Sequence, residues 1–174
     1  MGLPITHCNP YAAENNWVAG DNLATIGAEY IWGGNTYMAV KNAGSGDGVA
    51  GELCGIFLTT PAVGQMTCVA AEWLDGTLGT VNPGLGMVCV ASTAGRCCYV
   101  LRKGWTTHDG TASGTAFLKT DGGVVKGDYL VPDGGATPDG NADTAVAGEE
   151  HGIFGYALDD DTAGNLVIAK VYYP

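Results

Sequence analysis

The sequence predicts an all-β protein: an antiparallel β-sandwich or barrel of about ten short strands, preceded by an irregular N-terminal arm. Three observations point there. Glycine and proline are abundant, 29 and 7 of 174 residues, and both interrupt helices. Short apolar runs recur along the chain, each bounded by Gly, Pro, Asn or Asp, as strands between turns are. No stretch of ten or more residues carries apolar side chains at helical spacing with caps.

Residues 1–28 follow neither period. Pro4, Pro10 and Asn15-Asn16 break any long element. Yet Leu3, Ile5, Tyr11 and Trp17 are costly to leave in water, roughly 1.5–3 kcal/mol each when buried. The segment therefore reads as an arm that packs on a surface, its own domain's or a neighbour's. These four residues are the candidate contacts of the arm with another subunit or a partner's surface. The single β domain is expected over 29–174 and should fold without the arm.

Strands are expected at 29–32, ending at Gly33-Gly34, and at 36–41, where Tyr37, Ala39 and Lys41 alternate with Met38 and Val40. A Gly-rich turn spans 42–51. Further strands are expected at 52–59, closing at Pro61, and at 65–74, ending at Asp75-Gly76. Next come 86–91 and then 96–103, with Cys97, Tyr99 and Leu101 alternating with Cys98, Val100 and Arg102. Shorter strands fall at 115–119 and 128–131, and the last two at 152–158 and 165–173. The runs 87–91 and 166–169 are apolar on both faces. Such strands need cover on both sides, from a second sheet or another subunit. That favours a homo-oligomer, a dimer or trimer.

Charge narrows the partners. Seven Lys and Arg stand against 18 Asp and Glu, a net charge of −11. No basic stripe is present to displace phosphate counterions, so nucleic acid is not an expected partner. An anionic membrane surface is disfavoured for the same reason, and no apolar run approaches the ~20 residues of a membrane helix. The acid is concentrated at 128–161, which holds no Lys or Arg. Met1-Gly2-Leu3-Pro4 lacks the basic and apolar regions of a signal peptide. Six cysteines without a Cys-x-x-Cys pair read as reduced side chains of a protein made in the cytoplasm, several of them in apolar strands.

The residues give little chemistry. Ser45, Ser92 and Ser113 are the three serines, and none sits in a Gly-x-Ser-x-Gly elbow. His7, His108 and His151 lie in loop-like contexts. Glu29, Glu52 and Glu72 are the plausible acids for glycoside hydrolysis. Gly44-Ser45-Gly46-Asp47-Gly48 lacks the Lys and hydroxyl ending of a phosphate loop. Asp139, Asn141, Asp143 and Glu150 match calcium-loop positions one, three, five and twelve, but Thr144 stands where the turn needs Gly. No catalytic residue, cofactor or metal site is assigned. Trp105, near a turn, is the tryptophan expected at the surface, whereas Trp32 and Trp73 fit buried strand positions. An exposed Trp can stack on a sugar ring, so the alternative function is a glycan-binding β-sandwich module.

The C-terminal part carries a resemblance. Arg96 to Gly104 forms a strand ending in Gly, and Asp121-Gly122-Gly123 a turn. Gly127-Asp128-Tyr129-Leu130-Val131 follows, then Phe154-Gly155-Tyr156-Ala157-Leu158 and a final apolar strand to Tyr173. This order, over residues 96–173, resembles capsid decoration or cement proteins of tailed bacteriophages. The resemblance implies a non-enzymatic virion structural protein on the capsid surface, with the major capsid protein as partner. It would stabilise the phage head by clamping neighbouring capsid subunits, with Leu3, Ile5, Tyr11 and Trp17 as candidate capsid or subunit contacts. The alternative is a glycan-binding β-sandwich module of a phage fibre or extracellular protein.

Overall fold

A computed structural model describes residues 9–11, 15–18, 26–42, 48–58, 66–70, 84–106, 117–133, 140–148, 152–161 and 166–172. They contain twelve strands and no α-helix. In chain order these are β1 (Glu29–Trp32), β2 (Asn35–Asn42), β3 (Leu53–Leu58), β4 (Met66–Ala70), β5 (Gly84–Val88) and β6 (Cys97–Trp105). There follow β7 (Leu118–Lys119), β8 (Tyr129–Pro132), β9 (Ala142–Thr144), β10 (Gly155–Ala157), β11 (Leu166–Val167) and β12 (Ala169–Tyr172).

Ten strands form one sheet in the order β1-β2-β4-β3-β5-β6-β12-β10-β8-β9, and β7 pairs with β11 in a second, small sheet. All pairings are antiparallel except β2 with β4. The large sheet is not closed into one barrel, because β1 and β9 are its two ends. It folds back on itself, however, and β2 also pairs with β6 over 36–41 and 97–103.

That fold-back produces two cores. Met38, Val40, Cys54, Ile56, Val88, Val90, Cys98 and Val100 form the smaller one. They come from alternate positions of β2, β3, β5 and β6, plus the residue two places beyond β5. The intervening positions Tyr37, Ala39, Leu53, Met87, Cys89, Tyr99 and Leu101 point the other way, into the larger core. There they meet Leu130, Ala142, Phe154, Ala157, Ala169 and Val171 from the other half of the sheet and its connections, and Leu118 and Val167 from the small sheet. Strands β2, β3, β5 and β6 are thus covered on both faces by their own chain. Residues 87–90 need no second subunit, and Val167 and Ala169 of the other such run face the larger core. The doubly apolar pattern of 87–90 is accounted for without an oligomer.

A register change re-aims the end of β6. Tyr37 pairs with Leu101 and Thr36 with Lys103, so Arg102 is an extra residue on that strand. A one-residue bulge turns all later side chains to the opposite face. Leu101 lies in the core, whereas Lys103 and Trp105 are exposed. The Arg102 guanidinium donates to the Leu85 carbonyl.

The strand missing from the sequence reading is β9. Its alternating oxygens, Asn141 and Asp143, have the period of a strand. Asp143 pairs in register with Val131 of β8, and its Oδ1 accepts the Thr144 N–H at 2.6 Å. Residues 141–144 are therefore extended chain at the end of the sheet, not a coiled ion-binding loop. Asp139 and Glu150 lie outside the described residues.

Candidate functional site

Of the four candidate contact residues, Tyr11 and Trp17 are described, and both are seated in the chain's own core, 6% and 7% exposed. Trp17 makes an antiparallel bridge to Cys97. Its ring packs on Tyr99 with centroids 4.9 Å apart. Tyr11 meets Tyr37 edge-on at 5.9 Å and lies 6.4 Å from Trp32. Tyr30 stacks on Tyr37 at 5.5 Å, extending the aromatic cluster along β1. The Tyr37 hydroxyl receives the Asn35 amide at 3.0 Å and donates to the Tyr11 hydroxyl at 3.2 Å. Burial raises the Tyr11 phenol, with the neighbouring Cys89 thiol and Tyr37 adding to the shift. The Tyr11 and Trp17 rings are both enclosed by side chains of their own chain. Leu3 and Ile5 lie outside the described residues.

The residues weighed for catalysis are scattered. Glu29 is exposed on β1, at one end of the sheet. Glu52 accepts Lys119 Nζ at 3.1 Å and the Val49 N–H at 3.3 Å, and so closes a turn before β3. Ser92 is buried, bridges Gly48 and offers its hydroxyl beside the Cys98 thiol. Glu72, Ser45, Ser113 and the three histidines lie outside the described residues. Among the described residues no three His, Cys, Asp or Glu side chains are grouped to hold a metal.

A site the sequence reading touched only through Trp105 lies on the outer face of β6, β12, β10 and β8. Trp105 pairs with Lys170, Lys170 with Tyr156, and Tyr156 with Tyr129. Directly paired residues share a face, so these four form one row across four adjacent strands. Tyr172, two residues beyond Lys170, pairs with Lys103 on the same face. Ala169 and Val171 point inward between them. Trp105, Tyr129 and Tyr172 are 44%, 61% and 42% exposed. Lys170 Nζ stands 5.0 Å from the Trp105 centroid and 5.2 Å from that of Tyr172. The Tyr156 and Tyr172 rings lie 6.5 Å apart at 32°. A hydrogen bond with Tyr172 raises the Lys170 pKa, so the ammonium stays charged.

No family model matches the chain. No curated protein matches it. Among solved structures it is similar to the "head fiber gp8.5 N base in bacteriophage phi29", with 14% identity and a TM-score of 0.48, over 78% of this chain and 93% of that one. A likeness at this level transfers no role.

The row depends on two local devices. The bulge at Arg102 brings Trp105 outward. Asn35 then holds the Trp105 backbone: its Oδ1 accepts the Trp105 N–H at 3.0 Å and its Nδ2 donates to the Trp105 carbonyl at 2.9 Å. Gly104, between them in register, turns toward Asn35 with φ +129°, and a Cβ there would collide with the Asn35 side chain. Tyr129, Tyr156 and Tyr172 were legible only as alternation within short strands, which does not distinguish a wet face from a dry one.

Proposed function

We propose that the chain is a non-enzymatic virion structural protein, a capsid decoration or cement protein that clamps neighbouring major capsid subunits at the head surface. The observation that carries the reading is where the resembling segments fall. The segments at 96–104, 127–131 and 154–158 and the final strand form β6, β8, β10 and β12, and these are contiguous in the sheet as β6-β12-β10-β8. The segments that resemble decoration proteins thus make one folded unit rather than dispersed turns. Two independently buried cores in a chain of this size give a stable body suited to a mechanical role.

With Tyr11 and Trp17 committed to the chain's own core, the shell anchor falls to Leu3 and Ile5, preceding the first described residue. A dimer or trimer on the shell is part of the proposal and does not rest on doubly apolar strands. Purified protein should co-sediment saturably with undecorated shells of the major capsid protein of the same phage. Leu3→Asp together with Ile5→Asp should weaken that binding by at least about tenfold, the loss of two buried aliphatic contacts, while leaving the fold intact. Absence of shell binding by the full chain would overturn the reading.

A further inference from the structure

We propose that the outer face of β6-β12-β10-β8 is a binding site for an acidic polysaccharide, laid across the strands along the row Trp105, Lys170, Tyr156 and Tyr129. The inference goes beyond the virion reading and does not depend on it. Strands lie about 4.8 Å apart, so the row spans about 14 Å and places Trp105 and Tyr156 about 10 Å from one another. That separation suits alternate rings of an extended sugar chain.

The chemistry of the row supports this ligand. It presents aromatic ring faces and phenol hydroxyls. A pyranose offers a complementary surface, an apolar C–H face with a polar rim. Lys170 stands over the Trp105 ring, its ammonium on the electron-rich face. A sugar C–H face is drawn to the same place, and the flexible lysine stem can yield it and turn its charge to a substituent.

Charge selects the acidic class. The chain has seven Lys and Arg and a net charge of −11, yet two of the seven, Lys103 and Lys170, stand on this one face. Among the described residues the one ion pair is Lys119 with Glu52, so neither lysine is paired to a described carboxylate. A uronate carboxylate beside each stacked ring would meet them. Repulsion from the acidic remainder of the chain is screened beyond about 8 Å at physiological salt.

The test is calorimetric titration of the full chain with mannuronate oligosaccharides, paired with cello-oligosaccharides of equal length. Saturable binding to the uronate series is expected, weakening as salt rises. Trp105→Ala and Lys170→Met should each weaken it about tenfold. Val125→Ala, an exposed apolar site elsewhere, should leave it unchanged. Thermal melting of each variant separates loss of contact from loss of fold, and Tyr129→Ala, at the most exposed ring of the row, supplies a second variant. No binding to the uronates, or undiminished binding by folded Trp105→Ala and Tyr129→Ala, overturns the site. Equal affinity for the neutral series overturns the acidic assignment. Shell binding that fails while uronate binding persists would remove the virion reading and leave this one standing.

Discussion

Trp17 and Cys97 exchange both backbone hydrogen bonds, Trp17 N–H to Cys97 O at 3.1 Å and Cys97 N–H to Trp17 O at 2.7 Å. Trp17 is thereby held in an isolated bridge beside the first residue of β6. The Trp17 ring then closes over Tyr99. Removing this ring opens a cavity that the rigid sheet around it cannot fill. Trp17→Ala should lower unfolding free energy by about 3 kcal/mol, read from urea denaturation. Deleting residues 2–20 should destabilise further, since Tyr11 goes with it. A truncated chain as stable as the full one would mean that these rings contribute nothing.

Asn35 acts on Trp105 as a neighbouring strand would, through its side-chain amide rather than its backbone. Asn35 is buried, so its loss leaves the Trp105 amide and the Tyr37 hydroxyl short of partners. Asn35→Leu should cost about 2–3 kcal/mol, more than the net worth of one hydrogen bond, because buried polar groups are stranded. It should also free the Trp105 ring, seen as broadened or shifted tryptophan fluorescence. Asn35→Asp keeps the acceptor and loses the donors, and should fall between the two. Equal stability of all three proteins would contradict this role.

Much of the fold could be read from residues in order. The strands expected at 29–32, 36–41 and 96–103 lie within a residue or two of β1, β2 and β6, because each alternates or ends at a turn residue. What could not be read is how one strand serves two cores. Alternation shows that Cys97 and Cys98 point apart, but not that both sides are dry. An apolar run covered by another subunit looks the same as one covered by a fold-back of its own sheet. β9 was hidden because Ala142 is its only apolar residue, and its acids suggested a ligand loop. Trp105 is expected at the surface, but its alignment with Lys170, Tyr156 and Tyr129 is hidden, because alternation does not say which distant strands lie side by side. Simple alternation places Trp105 on the face of Leu101, and an inserted residue has no sequence mark.

Gly155 lies where β10 passes β12. A Cβ there would strike the Lys170 carbonyl, a backbone atom of the paired strand, and press on Val171 Cα at 3.2 Å. Neither can move without parting the two strands. Gly155→Ala should therefore destabilise by about 1–3 kcal/mol, the usual cost of an overpacked site. Because Tyr156 is the next residue, the variant should also displace one ring of the outer row. Thermal melting checks the first effect. An unchanged melting temperature would show that β10 and β12 have room to separate.

The buried thiols make stability fall in alkali. Cys54, Cys89, Cys97 and Cys98 are free and buried. Burial pushes the Cys98 thiol up to about 12 from an ordinary value of 9.0, with the nearby Ser92 hydroxyl opposing the shift. It also raises Cys89 and Cys97, and it lifts the Tyr37 phenol to about 12 from 10.0. The folded chain thus keeps protons that the unfolded chain releases. The stabilisation from these neutral groups is complete below about pH 9 and is lost as pH rises towards 12. Each pH unit in which an unfolded thiol is ionised and its folded counterpart is not costs about 1.4 kcal/mol per thiol. Urea unfolding under reducing conditions should give steady stability from pH 7 to 8.5 and a steep decline above pH 9. Cys98→Ala should lose some stability at neutral pH through its cavity and show a shallower alkaline decline. In the native protein at pH 8, these four thiols should resist a thiol-reactive dye and become labelled on unfolding. A profile flat to pH 11, or rapid labelling of the folded chain, would mean that water reaches the strands these cysteines occupy.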